Sequence, residues 1–139
     1  MDNDSRFIFN FHMAHHRLFK GTDRELVNAL GVTTAQLGAL LFLTQNDGCL
    51  LKELSKGLML NNSAITGLVT RMEKAELVKR KQSSSDMRAF TVHLTKKGKN
   101  IALKGLPMMD RIYQVLTDNF SDRELKSIMK FLNFINEEF

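Results

Sequence analysis

The chain is poor in the residues that staple or break small proteins. Of 139 residues one is cysteine, Cys49, and one is proline, Pro107. A lone cysteine excludes a disulfide framework within the chain and fits a reducing cytoplasm. A lone proline leaves long helices open, since only prolines remove a backbone donor from their interior. Long apolar runs are missing too. The longest, Leu37 to Leu43, has Gly38 inside it and falls well short of the roughly 20 residues that cross a bilayer, so no membrane partner is expected. The opening Met1-Asp2-Asn3-Asp4 lacks the basic start of a secretory signal, and a soluble, cytoplasmic protein is the expectation. No nucleophile–base pair stands on a recognisable elbow, and neither a glycine-rich phosphate loop nor a metal-ligand cluster is visible. An enzyme is therefore not expected, and neither catalytic residues, a metal nor a cofactor.

What is present is apolar material for a core, 43% of the residues, and a net charge of +5. The length suits one ordinary domain, and the basic balance suits a polyanion, either nucleic acid or an anionic membrane surface. The charge is concentrated. Residues 78–104 hold Lys79, Arg80, Lys81, Arg88, Lys96, Lys97, Lys99 and Lys104 against the single acid Asp86, a net +7 that leaves −2 for the rest of the chain. Phosphate neutralisation uses concentrated charge of this kind; a merely solvated basic hairpin is the alternative.

Apolar spacing predicts six helices and a hairpin. The first helix spans Ser5 to Leu30, with a kink expected at Gly21 and Thr22, and Gly31 closes it. Thr33 and Gln36 form a capping box for the second, whose stripe is Leu37, Leu40, Leu41 and Leu43. A short third helix runs from Leu51 to Leu58. The fourth opens on the N-cap Asn61, with Leu60 and Ile65 as a hydrophobic staple, and buries Ile65, Leu68, Val69 and Met72. Strands are expected over Leu77–Lys81 and Ala89–Leu94, joined by a loop from Ser83 to Asp86. Thr95 caps a fifth helix, Lys96 to about Asn119, bent at Pro107. Ser121 and Glu124 box the last, with Leu125, Ile128, Met129, Leu132 and Ile135 turned inward.

This order is the layout of a winged helix-turn-helix from Thr33 to Thr95, mainly α with a small β-hairpin wing and two to three short strands. The fourth helix has the outer face of a recognition helix. Asn62, Ser63, Thr66, Gly67, Thr70 and Arg71 are mostly small or hydrogen-bonding, as entry into a major groove requires. Its N-terminus, at Asn61, offers backbone N–H groups to a phosphate. Double-stranded DNA is the expected partner. The expected contacts are Asn61, Asn62, Ser63, Thr66, Gly67, Thr70 and Arg71 from the helix and Lys79, Lys81, Ser84 and Arg88 from the wing.

These residues also resemble a known family. Asp86-Met87-Arg88-Ala89 followed by Val92-His93-Leu94-Thr95-Lys96-Lys97-Gly98 is similar to the wing signature of the MarR (multiple antibiotic resistance regulator) family, D-x-R-A…L-T-x-x-G. Leu60 to Thr66 is similar to that family's recognition-helix start, and Gly31 to Gln36 to its G-L-T-x-x-Q segment. The resemblance implies a homodimer. Residues 1–32 and 96–139 would form the dimerisation region, and two winged lobes, residues 33–95, would meet consecutive major grooves of a near-palindrome. It also implies that Arg88 reaches a minor groove while Asp86 braces its guanidinium. On that resemblance the chain is expected to be a repressor that binds a pseudo-palindromic operator and is released by a small-molecule effector. Three positions depart from the pattern. Gly67 stands where a long basic residue is common, Glu76 where glycine is usual, and Met59 replaces a turn glycine.

Other residues keep more than one reading. His12, His15 and His16 share one stretch of the first helix and suit a metal half-site, an effector cleft formed by His12, His16 and Arg17, or an ordinary interface. Cys49 suits an oxidant-sensing thiol or a small buried residue beside a short strand. Family members that sense oxidants carry their cysteine in the first helix, and Asp47 is an acid that dulls a nearby thiol. Phe7, Phe11, Met108, Met109, Phe131 and Phe134 suit a dimer core or the wall of an effector pocket. Beside the DNA-binding regulator stand two further readings: a protein-interaction module of the same fold, motivated by Gly67 and the weakly charged recognition face, and a redox- or metal-sensing variant.

Overall fold

The computed structural model describes residues 5–139, so the Met1–Asp4 reading lies outside the described residues. In chain order come α1 (Phe7–Leu30), α2 (Thr34–Gln45), β1 (Cys49–Leu50), α3 (Leu51–Gly57), α4 (Asn62–Lys74), β2 (Val78–Gln82), β3 (Phe90–Leu94), α5 (Lys96–Thr117) and α6 (Asp122–Glu138). They fall into two compact units, Met1–Leu106 and Pro107–Phe139.

Local chemistry sets the element boundaries of the first unit. Gly31 ends α1 in the left-handed conformation, φ 72°, and its N–H bonds the Val27 carbonyl, a stop that glycine adopts without steric cost. The chain then turns by 70° into α2. There Thr33 and Gln36 exchange the reciprocal bonds of a capping box. At α4 the Asn61 side chain accepts from the Ala64 N–H at 2.8 Å. α1 is one continuous helix through Gly21 and Thr22, and α5 continues through Pro107.

The core of this unit follows most of the predicted stripes, except that Leu41 of α2 is only half-buried. Leu37, Leu40 and Leu43 of α2, Leu54 of α3, and Ile65, Leu68, Val69 and Met72 of α4 are buried with Val78 and Val92 of the sheet and Leu26 of α1. Each such side chain contributes about 1.5–3 kcal/mol relative to exposure. The sheet has three antiparallel strands in the order β1-β3-β2. β2 and β3 pair from Val78 with Leu94 to Gln82 with Phe90, and Cys49 of β1 faces Val92. The strands begin one residue later than the apolar pattern predicts. Leu77 and Ala89 spend their N–H groups outside the ladder, on the Met72 and Asp86 carbonyls.

The second unit departs from expectation. The capping box of Ser121 and Glu124 opens α6 as predicted, but the Leu125, Ile128, Met129, Leu132 and Ile135 stripe is not turned into a core. Every residue of α6 is exposed or half-buried, with Ile128 40% and Met129 53% exposed. An amphipathic stripe specifies that a face be covered, not that the same chain cover it.

Candidate nucleic-acid interface

α4 fixes its orientation through the buried Ile65, Leu68, Val69 and Met72, which turns Asn62, Ser63, Thr66 and Arg71 to solvent and leaves Gly67 and Thr70 half-buried. The two threonine hydroxyls are already used as donors. Thr66 Oγ1 donates to the Asn62 carbonyl at 2.7 Å and Thr70 Oγ1 to the Thr66 carbonyl at 2.8 Å. A hydroxyl whose proton points into the helix offers acceptors and a methyl group outward. Such a surface suits exocyclic amines and thymine methyls at base edges. At the start of the helix Asn61 Oδ1 takes the Ser63 hydroxyl at 3.1 Å in addition to its capping bond.

The wing is ordered by short bonds across its loop. Gln82 Nε2 donates to the Met87 carbonyl at 2.7 Å, the Ser83 N–H to the Ala89 carbonyl at 2.8 Å, and Ser83 and Ser85 pair their hydroxyls at 3.1 Å. Ser83 is buried by this network, while Ser84, Asp86 and Arg88 are exposed. Asp86, expected to brace the Arg88 guanidinium, bonds backbone groups in this chain. Asp86 Oδ1 accepts from the Arg88 backbone N–H at 2.9 Å, and the Asp86 carbonyl accepts from the Ala89 N–H. The aspartate shapes the turn from which Arg88 projects, because an Asx-type bond two residues ahead closes locally without recruiting a long side chain.

The basic block divides by use. Lys79 and Lys81 are exposed on β2. Arg80 between them is engaged, 3.1 Å from Glu73 Oε1 and 5.4 Å from the centre of the Phe90 ring. Lys97 donates to the Ala75 carbonyl at 2.8 Å, closing the end of α4 where the helix dipole favours a cation. Sequence spacing assigns both to a common field and gives no sign of these partners, which come from a different element. A hollow of about 480 Å³ lies between recognition helix and wing, with Asn62, Thr66, Asp86, Arg88 and Phe90 in its lining. Residues 20 or more positions apart thus share one concave surface.

The departures from the family pattern have a local cost. Glu76 at φ 62° and Met59 at φ 54° are both left-handed, a conformation that costs about 1–2 kcal/mol outside glycine. Asp47, read only as an acid near Cys49, also accepts the Leu94 N–H at 2.8 Å and so ties the β1 turn to β3.

His12, His15, His16 and Arg17 are exposed along α1, with the His15 ring 4.5 Å from that of Phe19. Among the described residues no three His, Cys, Asp or Glu side chains gather as a metal site. Cys49 is buried in β1. Burial pushes its thiol pKa up, and the charges of Glu53 and Asp47 add to the rise. Alkylation by iodoacetamide at pH 7.5 is expected to be at least tenfold slower than for free cysteine, since the thiolate is the nucleophile. Mass spectrometry of timed samples checks this, and labelling at the free-thiol rate contradicts it.

The MarR family model matches residues 32–90, from just before α2 to the start of β3. An HTH-type transcriptional regulator of Bacillus subtilis (strain 168), YsmB, is 30% identical over 117 residues, which cover 81% of this chain and 80% of that protein. The organic hydroperoxide resistance transcriptional regulator of the same organism is 28% identical over 107 residues, 76% and 73% of the two chains. Among solved structures, the Staphylococcus aureus MepR–DNA complex superposes with a TM-score of 0.87 at 21% identity, covering 96% of this chain and 98% of that one.

Proposed function

Because the chain belongs to the MarR family of DNA-binding transcriptional regulators, we propose that it acts in the cytoplasm as a homodimeric repressor. It binds a pseudo-palindromic operator with half-sites about one helical turn apart, and a small-molecule effector releases it. The shared concavity of α4 and the wing carries this reading. Asn62 and Thr66 line the same hollow as Arg88, so one lobe presents a base-reading face and a basic tip together.

Roles follow from position. Asn61, Asn62, Ser63, Thr66, Gly67, Thr70 and Arg71 face the major groove. Lys79, Lys81 and Ser84 meet phosphates, and Arg88 enters the minor groove from a turn held by Asp86. An effector acts by changing the spacing of the two recognition helices, which requires different affinities for the bound and released arrangements; His12, His16 and Arg17 on α1 are its proposed cleft. The exposed apolar side chains of α1, such as Ile8 and Phe9, and of the second unit, such as Tyr113 and Val115, supply the dimer contacts.

The test is a gel-shift titration over several salt concentrations on the protein's own promoter fragment. Lys81→Ala is expected to lower affinity for every sequence and to flatten the salt slope by about 1, one phosphate contact fewer. Arg88→Ala is expected to weaken binding most where the flanks are A·T-rich. Unchanged binding by both variants would sink the wing assignment. Equal affinity of the parent protein for the promoter fragment and for random duplex would favour the protein-interaction module instead.

A further inference from the structure

The recognition face has a gap and a long side chain lying over it. Gly67 is in the middle of α4 with no side chain of its own. A Cβ built there would meet one atom within 4 Å outside the local helix backbone, Nη1 of Arg71 at 3.2 Å. Arg71 is four residues further on. Helical side chains lean toward the N-terminus and over the preceding turn, so its guanidinium is delivered about 6 Å back along the axis, onto the space that Gly67 leaves open. The space is one that a side chain at 67 would take, and a Cβ at that distance would already force the guanidinium to give way.

The group that fills the gap is uncommitted. Arg71 is exposed, and among the described residues neither an acid nor a hydrogen-bond acceptor holds its guanidinium. Arg80 differs, being held by Glu73 and lying over the Phe90 ring. The small neighbours of Arg71 on this face offer acceptors outward, since the Thr66 and Thr70 hydroxyl protons are spent on the helix backbone. Guanine presents only the O6 and N7 acceptors at its major-groove edge, which the two threonines cannot meet and which Arg71 meets with a rigid fork of donors.

We propose that Arg71 is the specificity-determining residue of α4, reading a guanine through the opening at Gly67, with Thr66 and Thr70 restricted to amine and methyl edges. The inference rests on DNA binding by the α4 face and adds which base is read and by which pair of positions.

The experiment is selection of binding sites from a randomised duplex pool, followed by affinity measurement on matched duplexes with one guanine replaced. Parent protein, Arg71→Ala, Arg71→Lys and Gly67→Leu are compared. The parent is expected to prefer guanine at one position of each half-site by about tenfold to a hundredfold. Arg71→Ala should erase the preference at that position and spare the others. Arg71→Lys should keep most of the affinity while losing much of the discrimination, because an ammonium lacks the fork. Gly67→Leu should lower the preference by displacing a guanidinium that is still present. A uniform loss across all sequences for Arg71→Ala, with base preferences unchanged, would make Arg71 a phosphate contact and overturn the proposal. Selection of no motif by the parent would instead overturn sequence reading by α4 altogether. Circular dichroism of each variant confirms that altered preference comes from a folded protein.

Discussion

Replacing Tyr113 and Met129 together by aspartate is expected to leave monomers and to weaken operator binding by about 10²–10⁴-fold. The proposed dimer contact uses the uncovered apolar surface of the second unit. Tyr113 is 63% exposed, Val115 73%, Met129 53% and Phe134 57%. A hollow of about 700 Å³ is lined by Tyr113, Leu125, Met129 and Phe134 among others, which gives another copy's side chains somewhere to insert. Aspartate at two exposed positions costs the single chain little beyond helix propensity, about 0.7 kcal/mol each at most. Across a dimer contact the same carboxylates would be buried without partners, which is far more costly. Operator affinity falls because two linked lobes bind as an intramolecular pair and one lobe alone does not. Sedimentation velocity reads the assembly and gel shift reads the affinity; dimers that persist at micromolar concentration would place the subunit contact elsewhere.

Gly98→Val is expected to cost about 3 kcal/mol or more, near the top of the range for overpacking, and to lower the melting temperature by roughly 10 °C. A Cβ at Gly98 would overlap the Leu77 carbonyl oxygen and press the Leu40 side chain at 3.3 Å. The carbonyl cannot swing aside cheaply, because it accepts from both the N–H and the hydroxyl of Thr95, at 3.1 and 3.0 Å. Gly21→Ala is the control. A Cβ there meets nothing within 4 Å, so the change should be neutral or stabilising by up to about 1 kcal/mol. Thermal unfolding at one fixed protein concentration compares the two, and equal melting temperatures would refute the collision at Gly98.

The contrast between these glycines shows where sequence information is local and where it is not. The caps at Thr33, Asn61 and Ser121 are legible because each partner is three residues away. The buried face of α4 is legible because its period is intrinsic to the helix. Gly98 stands out in the sequence only through its place in a family motif. The reason it must be glycine, the carbonyl of a residue 21 positions earlier, is a tertiary fact. Arg80 shows the same limit: a run of three basic residues says nothing of Glu73 waiting beneath the middle one. Asp86 shows a finer limit: sequence spacing pairs it with Arg88, two residues on, but does not say that the bond falls on that residue's backbone N–H. The α6 stripe is legible as apolar but not as uncovered, since a helical period does not say whether the same chain covers that face.

The end of α4 and the start of α5 are riveted through Thr95 and Lys97. The single Thr95 hydroxyl proton is shared between the Glu76 carbonyl at 2.7 Å and the Leu77 carbonyl at 3.0 Å, the Thr95 N–H donates to the Leu77 carbonyl as well, and Lys97 donates to the Ala75 carbonyl. These bonds tie α4 to α5 directly, although the β2–β3 hairpin lies between them in sequence. The first turn of α5 is therefore a handle on α4: tilt imposed there acts directly on the end of the helix that carries the proposed reading face.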